Sequence, residues 1–148
     1  MRAAVVAIDG PAASGKSSTA AAVARRLGLV HLDSGALYRG VTRVALDAGA
    51  AGGPGAILAS AEARGLDLRL ADHVVEVMLD GRPAEDRIRG PEVTAAVSAV
   101  SARPQVRDWV NDRLRAMARE GRVLVMDGRD IGTAVFPDAA VKVFLVAT

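Results

Sequence analysis

A glycine-rich stretch near the start of the chain constrains its fold more than any other feature. It reads "GPAASGKS" over residues 10–17 and matches the pattern G-x-x-x-x-G-K-[ST] at every defined position. Such a loop binds phosphate through its backbone N–H groups and the N-terminus of the next helix, so it needs a strand before it and a helix after it. The flanking residues predict both. The apolar run at 3–8 is typical of a buried strand, and 16–27 has helical spacing of apolar side chains.

The chain beyond the loop alternates between strand-like runs and helical patterns. "LVHL" (29–32) predicts a second strand, and Leu37, Val41 and Val44 predict the inner face of a helix at about 35–48, capped by Asp33 or Ser34. Further helices are expected near 91–102 and 104–120, the second with an inner stripe of Val106, Val110, Leu114 and Met117. Buried strands are expected at "RVLVM" (122–126) and "VKVFLVA" (141–147). This order predicts an α/β fold in which helices flank both faces of a parallel sheet.

The middle of the chain has a different pattern. A flexible connection at 49–55 and a short helix precede "LDLRL" (66–70) and "VVEVML" (74–79), in which apolar and polar residues alternate. Alternation is typical of a half-exposed antiparallel hairpin. We therefore expect a small α+β insert at 60–100 within a core formed by 1–59 and 101–148.

Composition excludes several functional classes. The 148-residue chain is the size of one domain, and without cysteine it has no disulfide and no thiolate metal site. No apolar run approaches the roughly 20 residues of a membrane span, and the first ten residues carry no secretory pattern. A net charge of +2 and 3% aromatic residues argue against nucleic-acid binding. We expect a cytoplasmic protein that binds neither membranes nor nucleic-acid polymers.

The glycine-rich loop predicts a site for nucleotide phosphates. Lys16 is expected to reach the β- and γ-phosphates, and the Ser17 hydroxyl is expected to ligate Mg²⁺. The residues expected to contact the nucleotide are Gly10, Pro11, Ala12, Ala13, Ser14, Gly15, Lys16, Ser17 and Ser18. GTPase switches are excluded, because their N-K-x-D pattern needs an Asn-Lys pair and both lysines of this chain lack a preceding asparagine.

Two further segments place charged and polar residues near the loop. "LDSGALYRG" (32–40) puts Arg39 in the first turns of a helix, where its guanidinium can bind a phosphate or a carboxylate by two hydrogen bonds. "DGRD" (127–130) follows a buried strand, and open α/β sheets bind ligands at the carboxyl ends of their strands. An isolated arginine is usually a solvated surface residue, but Arg129 stands where ligands bind.

Four segments together resemble the bacterial cytidylate kinases: "IDGPAASGKSS", "LDSGALYR", "PQVR" and "MDGRDIGTAVFPDAAVKVFL". Members of this family are P-loop nucleoside monophosphate kinases that transfer the γ-phosphoryl group of ATP to CMP or dCMP. The resemblance covers the whole chain in order, and the segment at 60–100 resembles the monophosphate-binding insert of the family. It implies ATP with Mg²⁺ as the donor and CMP or dCMP as the acceptor.

The resemblance also implies roles for individual residues. The implied catalytic residues are Lys16, Arg39, Asp127 and Arg129. The implied substrate-binding residues are Ser34, Tyr38, Arg39, Ser98, Arg107, Arg129 and Asp130. Within these sets, Arg39 and Arg129 bind the acceptor phosphate, and Asp127 acts near Mg²⁺ through water. The cytosine edge is contacted by Ser98, Arg107 and Asp130, whose donors and acceptors complement those of the base.

The sequence departs from the family pattern at its C-terminal end. The family continues with a mobile lid that carries arginines and with a last strand and helices, whereas this sequence stops at Thr148, and Val146 replaces a usually polar residue. We expect a C-terminally incomplete core with an unpaired sheet edge and a complete protein that is a monomer. Two alternatives stay open: a P-loop kinase of another small acceptor, and a nucleotide-binding fragment without turnover.

Overall fold

The computed structural model describes residues 3–49 and 52–146. The chain divides into two compact units. The first comprises Met1–Ser34, Leu70–Val75 and Leu114–Thr148, and the second comprises Gly35–Arg69 and Glu76–Arg113. The functional partition expected from the sequence, with a core at 1–59 and 101–148 and an insert at 60–100, stays a prediction.

The predicted α/β fold with a mostly parallel sheet is confirmed. In chain order, the elements are β1 Ala3–Asp9, α1 Lys16–Leu27, β2 Val30–Asp33, α2 Ser34–Asp47, α3 Pro54–Ala63, β3 Asp67–Ala71, β4 Val74–Leu79, β5 Arg82–Pro83, α4 Glu85–Ile88, α5 Pro91–Ser101, α6 Pro104–Ala118, β6 Leu124–Gly128, a π-helix Ile131–Val135 and β7 Ala139–Phe144. The helix predicted at 16–27 and the strand predicted at 74–79 have these bounds in the structure. The other predicted elements end within a few residues of their expected positions. Among the described residues, no helix has the length and apolar character that crossing a membrane requires.

In the sheet of the first unit, β1 is an inner strand between β6 and β7. The strand order is β2-β6-β1-β7, and every neighbouring pair is parallel. The start of β4 pairs with β2, where His31 is opposite Val74. Ile8 of β1 packs with Ala20 and Ala24 of α1, whose small side chains let the helix lie close to the sheet. The loop between β1 and α1 is therefore held at the carboxyl end of an inner strand.

The prediction that the last strand is buried was wrong. In β7, the exposed fractions of Val141, Val143 and Phe144 are 49%, 39% and 64%. The physical reason is the position of β7, which lies at the end of the strand order and pairs only with β1 within the described residues. An apolar run indicates a strand, but it does not show whether other elements cover that strand.

The second unit contains most of the hairpin and of the helices. Leu37, Val41 and Val44 of α2 are buried, as predicted from their helical spacing. The predicted stripe along α6 is buried too, including the part of it that lies in the first unit. Within β4, buried residues alternate with partly buried ones from Val75 to Leu79, so this strand has one buried and one partly exposed face.

Candidate functional site

The loop between β1 and α1 has the backbone of a phosphate-binding loop. Gly15 has φ +82° and Ala13 has φ +60°, so the chain turns through left-handed conformations before α1 begins at Lys16. The first turn of α1 carries no acidic side chain to compensate its positive end. Lys16 Nζ donates a hydrogen bond to the Pro11 carbonyl at 3.2 Å, which holds the ammonium group back over the loop. This arrangement is suited to binding an anion.

One polar atom of the loop fits a ligand in particular. Ser14 Oγ is buried and has no hydrogen-bond partner among the residues that the structure describes. A buried hydroxyl without a hydrogen-bond partner is unfavourable by about 1–3 kcal/mol. A ligand atom that bonds to this hydroxyl would remove that cost. A phosphate oxygen in the loop would accept this hydrogen bond.

Asp127, at the end of β6, is the centre of a polar cluster next to the loop. Its Oδ2 accepts a hydrogen bond from Ser17 Oγ at 2.5 Å, and its carbonyl accepts one from Ser34 Oγ at 2.7 Å. His31 Nε2 lies 2.6 Å from Asp127 Oδ1. The residue is fully buried. The first unit thus brings together three residues that the sequence predicts at the site, Ser17, Ser34 and Asp127.

His31 is not among the residues that the sequence predicts at the site. In the parallel pairing of β2 with β6, His31 is opposite Val125 and Asp33 is opposite Asp127. Residues two apart on a strand share one face, so His31 lies on the same face of the sheet as Asp127. The only signal in the sequence is a histidine inside a short apolar run. Its contact depends on a strand register that the sequence does not show.

Steric constraints explain why the second residue of "DGRD", Gly128, is a glycine. A Cβ built on Gly128 would lie 2.5 Å from Ser34 Oγ and 2.8 Å from Ile131 Cγ1. Both distances are too short for any side chain at this position. Gly128 therefore allows the Ser34 hydroxyl to reach the Asp127 carbonyl. The hydroxyl of Ser34, the first residue of α2, is used in this bond.

Asp9 connects the start of the loop to the segment after β6. Its carboxylate accepts hydrogen bonds from the N–H groups of Ile131 at 2.9 Å and Gly132 at 2.8 Å, and the residue is only 5% exposed. These two N–H groups begin the π-helix, which the sequence does not predict. Gly10 N also donates to the Gly128 carbonyl at 3.2 Å. The phosphate-binding loop and "DGRD" are therefore held together at their bases.

The two charged residues that follow Gly128 differ in their surroundings. Arg129 is exposed, and its guanidinium has no hydrogen bond or ion pair among residues 3–49 and 52–146. The Asp130 carbonyl accepts the Ala134 N–H at 2.9 Å, at the start of the π-helix. The side chain of Arg129 is thus available to a ligand at the carboxyl end of the sheet.

Of the other predicted residues, the second unit holds Arg39 by hydrogen bonds and brings Arg107 close to Tyr38. Arg39 Nη1 donates to the Ile88 carbonyl at 3.2 Å and to Thr94 Oγ1 at 3.1 Å. The Arg107 guanidinium lies 5.7 Å from the ring centroid of Tyr38, a cation–π contact. Ser98 is four residues after Thr94 in α5, so the two lie on one face of that helix. Arg39 is therefore held in one orientation, while the roles of these residues stay predictions.

Other arginines of the second unit are engaged in salt bridges. Asp47 pairs with Arg43 at 2.8 Å and with Arg64 at 2.9 Å, and Asp80 pairs with Arg64 at 2.7 Å. Burial acts to raise the pKa of Asp47, but hydrogen bonds from Arg64 and Arg43 outweigh it, so the pKa is lowered. The hydrogen bond from Arg64 lowers the pKa of Asp80. These arginines stabilise the fold rather than offering charge to a ligand.

The described residues include no cluster of three or more His, Asp and Glu side chains that could hold a metal ion. The oxygen atoms of Ser17 and Asp127 are nevertheless the ligand type that Mg²⁺ prefers, and Mg²⁺ is usually bound by one or two protein groups together with substrate phosphates. These two residues fit a cation that arrives with a nucleotide.

A glycine-rich loop between an inner strand of a parallel sheet and the following helix defines the class of P-loop nucleotide-binding proteins. Comparison with known proteins agrees with this class and narrows it. A family model described as cytidylate kinase matches residues 6–148. The chain belongs to the cytidylate kinase family.

Curated relatives are similar over nearly the whole chain. The bifunctional pantoate ligase/cytidylate kinase of Synechococcus sp. (strain WH7803) is 49% identical over 150 residues, which cover 99% of this chain and 30% of that protein. The cytidylate kinase of Geobacillus kaustophilus (strain HTA426) is 46% identical over 144 residues, 97% of this chain and 64% of that protein. The cytidylate kinase of Oceanobacillus iheyensis is 42% identical over 144 residues, which cover 97% of this chain and 62% of that protein. The chain thus spans less than two thirds of the length of these relatives.

Proposed function

We propose that the protein containing this chain transfers the γ-phosphoryl group of ATP to CMP or dCMP and forms ADP and CDP or dCDP. The observation that carries the proposal is the contact of Ser17 with Asp127, which joins the phosphate-binding loop to "DGRD" in a member of the cytidylate kinase family. The phosphate-binding loop and the charged segment "DGRD" both lie at the carboxyl end of the sheet. This arrangement is suited to the transfer of a phosphoryl group between two bound phosphates. We also propose that the protein is located in the cytoplasm and that the complete protein is a monomer.

On the donor side, the loop N–H groups, Ser14 and Lys16 bind the phosphates of ATP. Ser17 would hold Mg²⁺, with Asp127 acting near it through water. When bound, Mg²⁺ neutralises charge on the β- and γ-phosphate oxygens. Lys16 leaves the Pro11 carbonyl, a neutral acceptor, for a phosphate oxygen, because a charge-assisted hydrogen bond is the stronger one.

On the acceptor side, Arg39 and Arg129 bind the phosphate of CMP. Both hydrogen bonds of Arg39 within the described residues come from Nη1, so Nη2 and Nε remain for a bidentate phosphate contact. Thr94 and the Ile88 carbonyl orient the guanidinium before the substrate binds. Two arginines facing a phosphate dianion reduce its repulsion of the incoming phosphoryl group.

Further groups of the acceptor site are proposed to set its base specificity. Ser34 and Tyr38 contribute to binding the monophosphate. Cytosine presents an amino donor and two acceptors, and a carboxylate, a guanidinium and a hydroxyl complement them. In this proposal those groups are Asp130, Arg107 and Ser98. Phosphoryl transfer itself needs alignment and charge neutralisation, with exclusion of water, and no covalent intermediate on the protein.

The test of the substrate is an ADP-release assay on the full-length protein with MgATP and each nucleoside monophosphate. CMP and dCMP should be phosphorylated faster than AMP and GMP. Equal or faster turnover of AMP would refute the assignment to cytidine nucleotides. Binding of CMP and ATP without any formation of CDP would favour a nucleotide-binding module instead.

The test of the acceptor site is Arg129→Ala. Turnover should fall by about 10²–10³-fold with little change in ATP affinity, since a bidentate phosphate contact is lost on the acceptor side only. Arg129→Lys should not restore it, because lysine lacks the planar pair of donors. The matched control is Arg122→Ala, an exposed arginine just before the opposite end of β6, which should leave turnover unchanged. An equal loss of ATP affinity in Arg129→Ala would assign this residue to the donor site.

A further inference from the structure

The Asp127 carboxylate is buried, and among the residues that the structure describes each of its oxygens has one hydrogen-bond partner. Oδ2 faces Ser17 Oγ, and Oδ1 faces His31 Nε2 at 2.6 Å. The Asp127 side chain is 1% exposed, and that of His31 is 14% exposed. A buried carboxylate oxygen that loses its partner is unfavourable, so both contacts determine how this side chain is oriented.

The direction of these hydrogen bonds follows from their chemistry. An ionised carboxylate only accepts, so His31 Nε2 must carry the proton that it donates to Oδ1. Ser17 likewise donates its hydroxyl proton to Oδ2. With that proton directed at Asp127, the lone pairs of Ser17 Oγ point away from the carboxylate and can face a cation.

The main-chain pairing of β2 in the sheet does not involve the His31 ring. The backbone of His31 donates its N–H to the His73 carbonyl at 2.8 Å, and β2 pairs with β6 through main-chain bonds. The side chain reaches along the sheet to Asp127 instead. Replacing the ring therefore leaves the main-chain bonds of β2 in place, and the test needs a readout at the site itself.

We propose that His31 is a positioning residue for the donor site. Its Nε2–H group holds the Asp127 carboxylate in the orientation in which Asp127 accepts the Ser17 hydroxyl, so that Ser17 Oγ is presented to the divalent cation that accompanies ATP. The inference rests on the proposed function only where it assigns Ser17 to that cation. It does not depend on which acceptor is phosphorylated.

The test compares His31→Leu with His31→Gln. Leucine keeps the size of the side chain but has no donor, whereas the glutamine amide nitrogen reaches the position of Nε2 and donates. Titration calorimetry measures the affinity for ATP with and without Mg²⁺. The readout is the factor by which Mg²⁺ increases this affinity, given as the ratio of the affinity with Mg²⁺ to the affinity without it. This ratio should be about 10-fold lower in His31→Leu than in the unsubstituted protein, which is the usual effect of removing a group that orients a metal ligand. In His31→Gln it should stay within about 3-fold of the unsubstituted value. His73→Leu, at the other histidine of the chain, is the matched control.

A second measurement needs neither variant nor nucleotide. Long-range ¹H–¹⁵N correlation of the two histidine rings in the ligand-free protein should show a proton on Nε2 of His31. A His31 ring protonated only on Nδ1 would overturn the proposal, and so would a Mg²⁺ ratio in His31→Leu equal to that of the unsubstituted protein. Neither readout involves CMP, so a failure here is distinct from a failure of the proposed acceptor.

Discussion

Replacing Asp9 by asparagine tests how the base of the phosphate-binding loop is held. Asp9 is almost fully buried, and both of its oxygens accept backbone N–H groups, from Ile131 and Gly132. Asparagine keeps one acceptor but turns an NH₂ group toward the second N–H. The substitution therefore removes one charge-assisted hydrogen bond, weakens the other and leaves a buried donor without a partner.

The size of the effect follows from these contacts. A hydrogen bond to a charged group contributes about 1.5–3 kcal/mol, and an unsatisfied buried donor costs about 1–3 kcal/mol. We expect Asp9→Asn to lower the free energy of unfolding by about 2–4 kcal/mol, a large part of the 5–15 kcal/mol typical of a domain. The loss of one bond and the weakening of the other should also loosen the π-helix and the position of Arg129 before it.

The assay is urea denaturation followed by circular dichroism, with amide chemical shifts of Ile131 and Gly132 as a local readout. The control is Asp138→Asn, which makes the same change of charge at an exposed residue of the same unit. Its free energy of unfolding should change by less than about 0.5 kcal/mol. If Asp9→Asn were as stable as this control, with unchanged shifts, the two hydrogen bonds would not hold the segment and the reasoning would be refuted.

Three further predictions concern other parts of the chain. Ala13→Gly should raise the free energy of unfolding by up to about 1 kcal/mol in urea denaturation, because alanine is strained at its φ of +60°; a decrease would contradict this. The pKa of Asp47 is lowered on folding from its usual 3.8, so its pairing with Arg43 and Arg64 contributes stability above that pH. This contribution is lost as the pH falls through the lower folded value, and the stability gap to Asp47→Asn should therefore close on acidification; a gap that persists under acid would refute the sign. Val143→Lys, on the exposed edge strand, should reduce self-association of this chain in sedimentation, and unchanged association would show that the edge does not pair.

Much of the fold could be predicted because its signals are local. The helix at 16–27 ends at Gly28, which has φ +66° and takes the left-handed C-terminal position that glycine favours. The pattern of β4 shows its buried face directly. The loop at 10–17 can be recognised from the sequence because its glycines, lysine and serine lie within eight consecutive residues. Each of these features depends on residues that are neighbours in the sequence.

The contacts that build the site depend on residues far apart in the sequence. His31 and Asp127 are 96 residues apart, and Asp9 and Ile131 are 122 apart, so only the register of β2, β6 and β1 brings them together. The start of the π-helix is bound by the Asp9 carboxylate, and β7 is exposed at the end of the strand order. By itself, the sequence determined which segments form the loop, the helices and the strands. The tertiary structure alone decided which polar side chains meet at the carboxyl end of the sheet, because a strand's partners and register are set by packing across the whole unit.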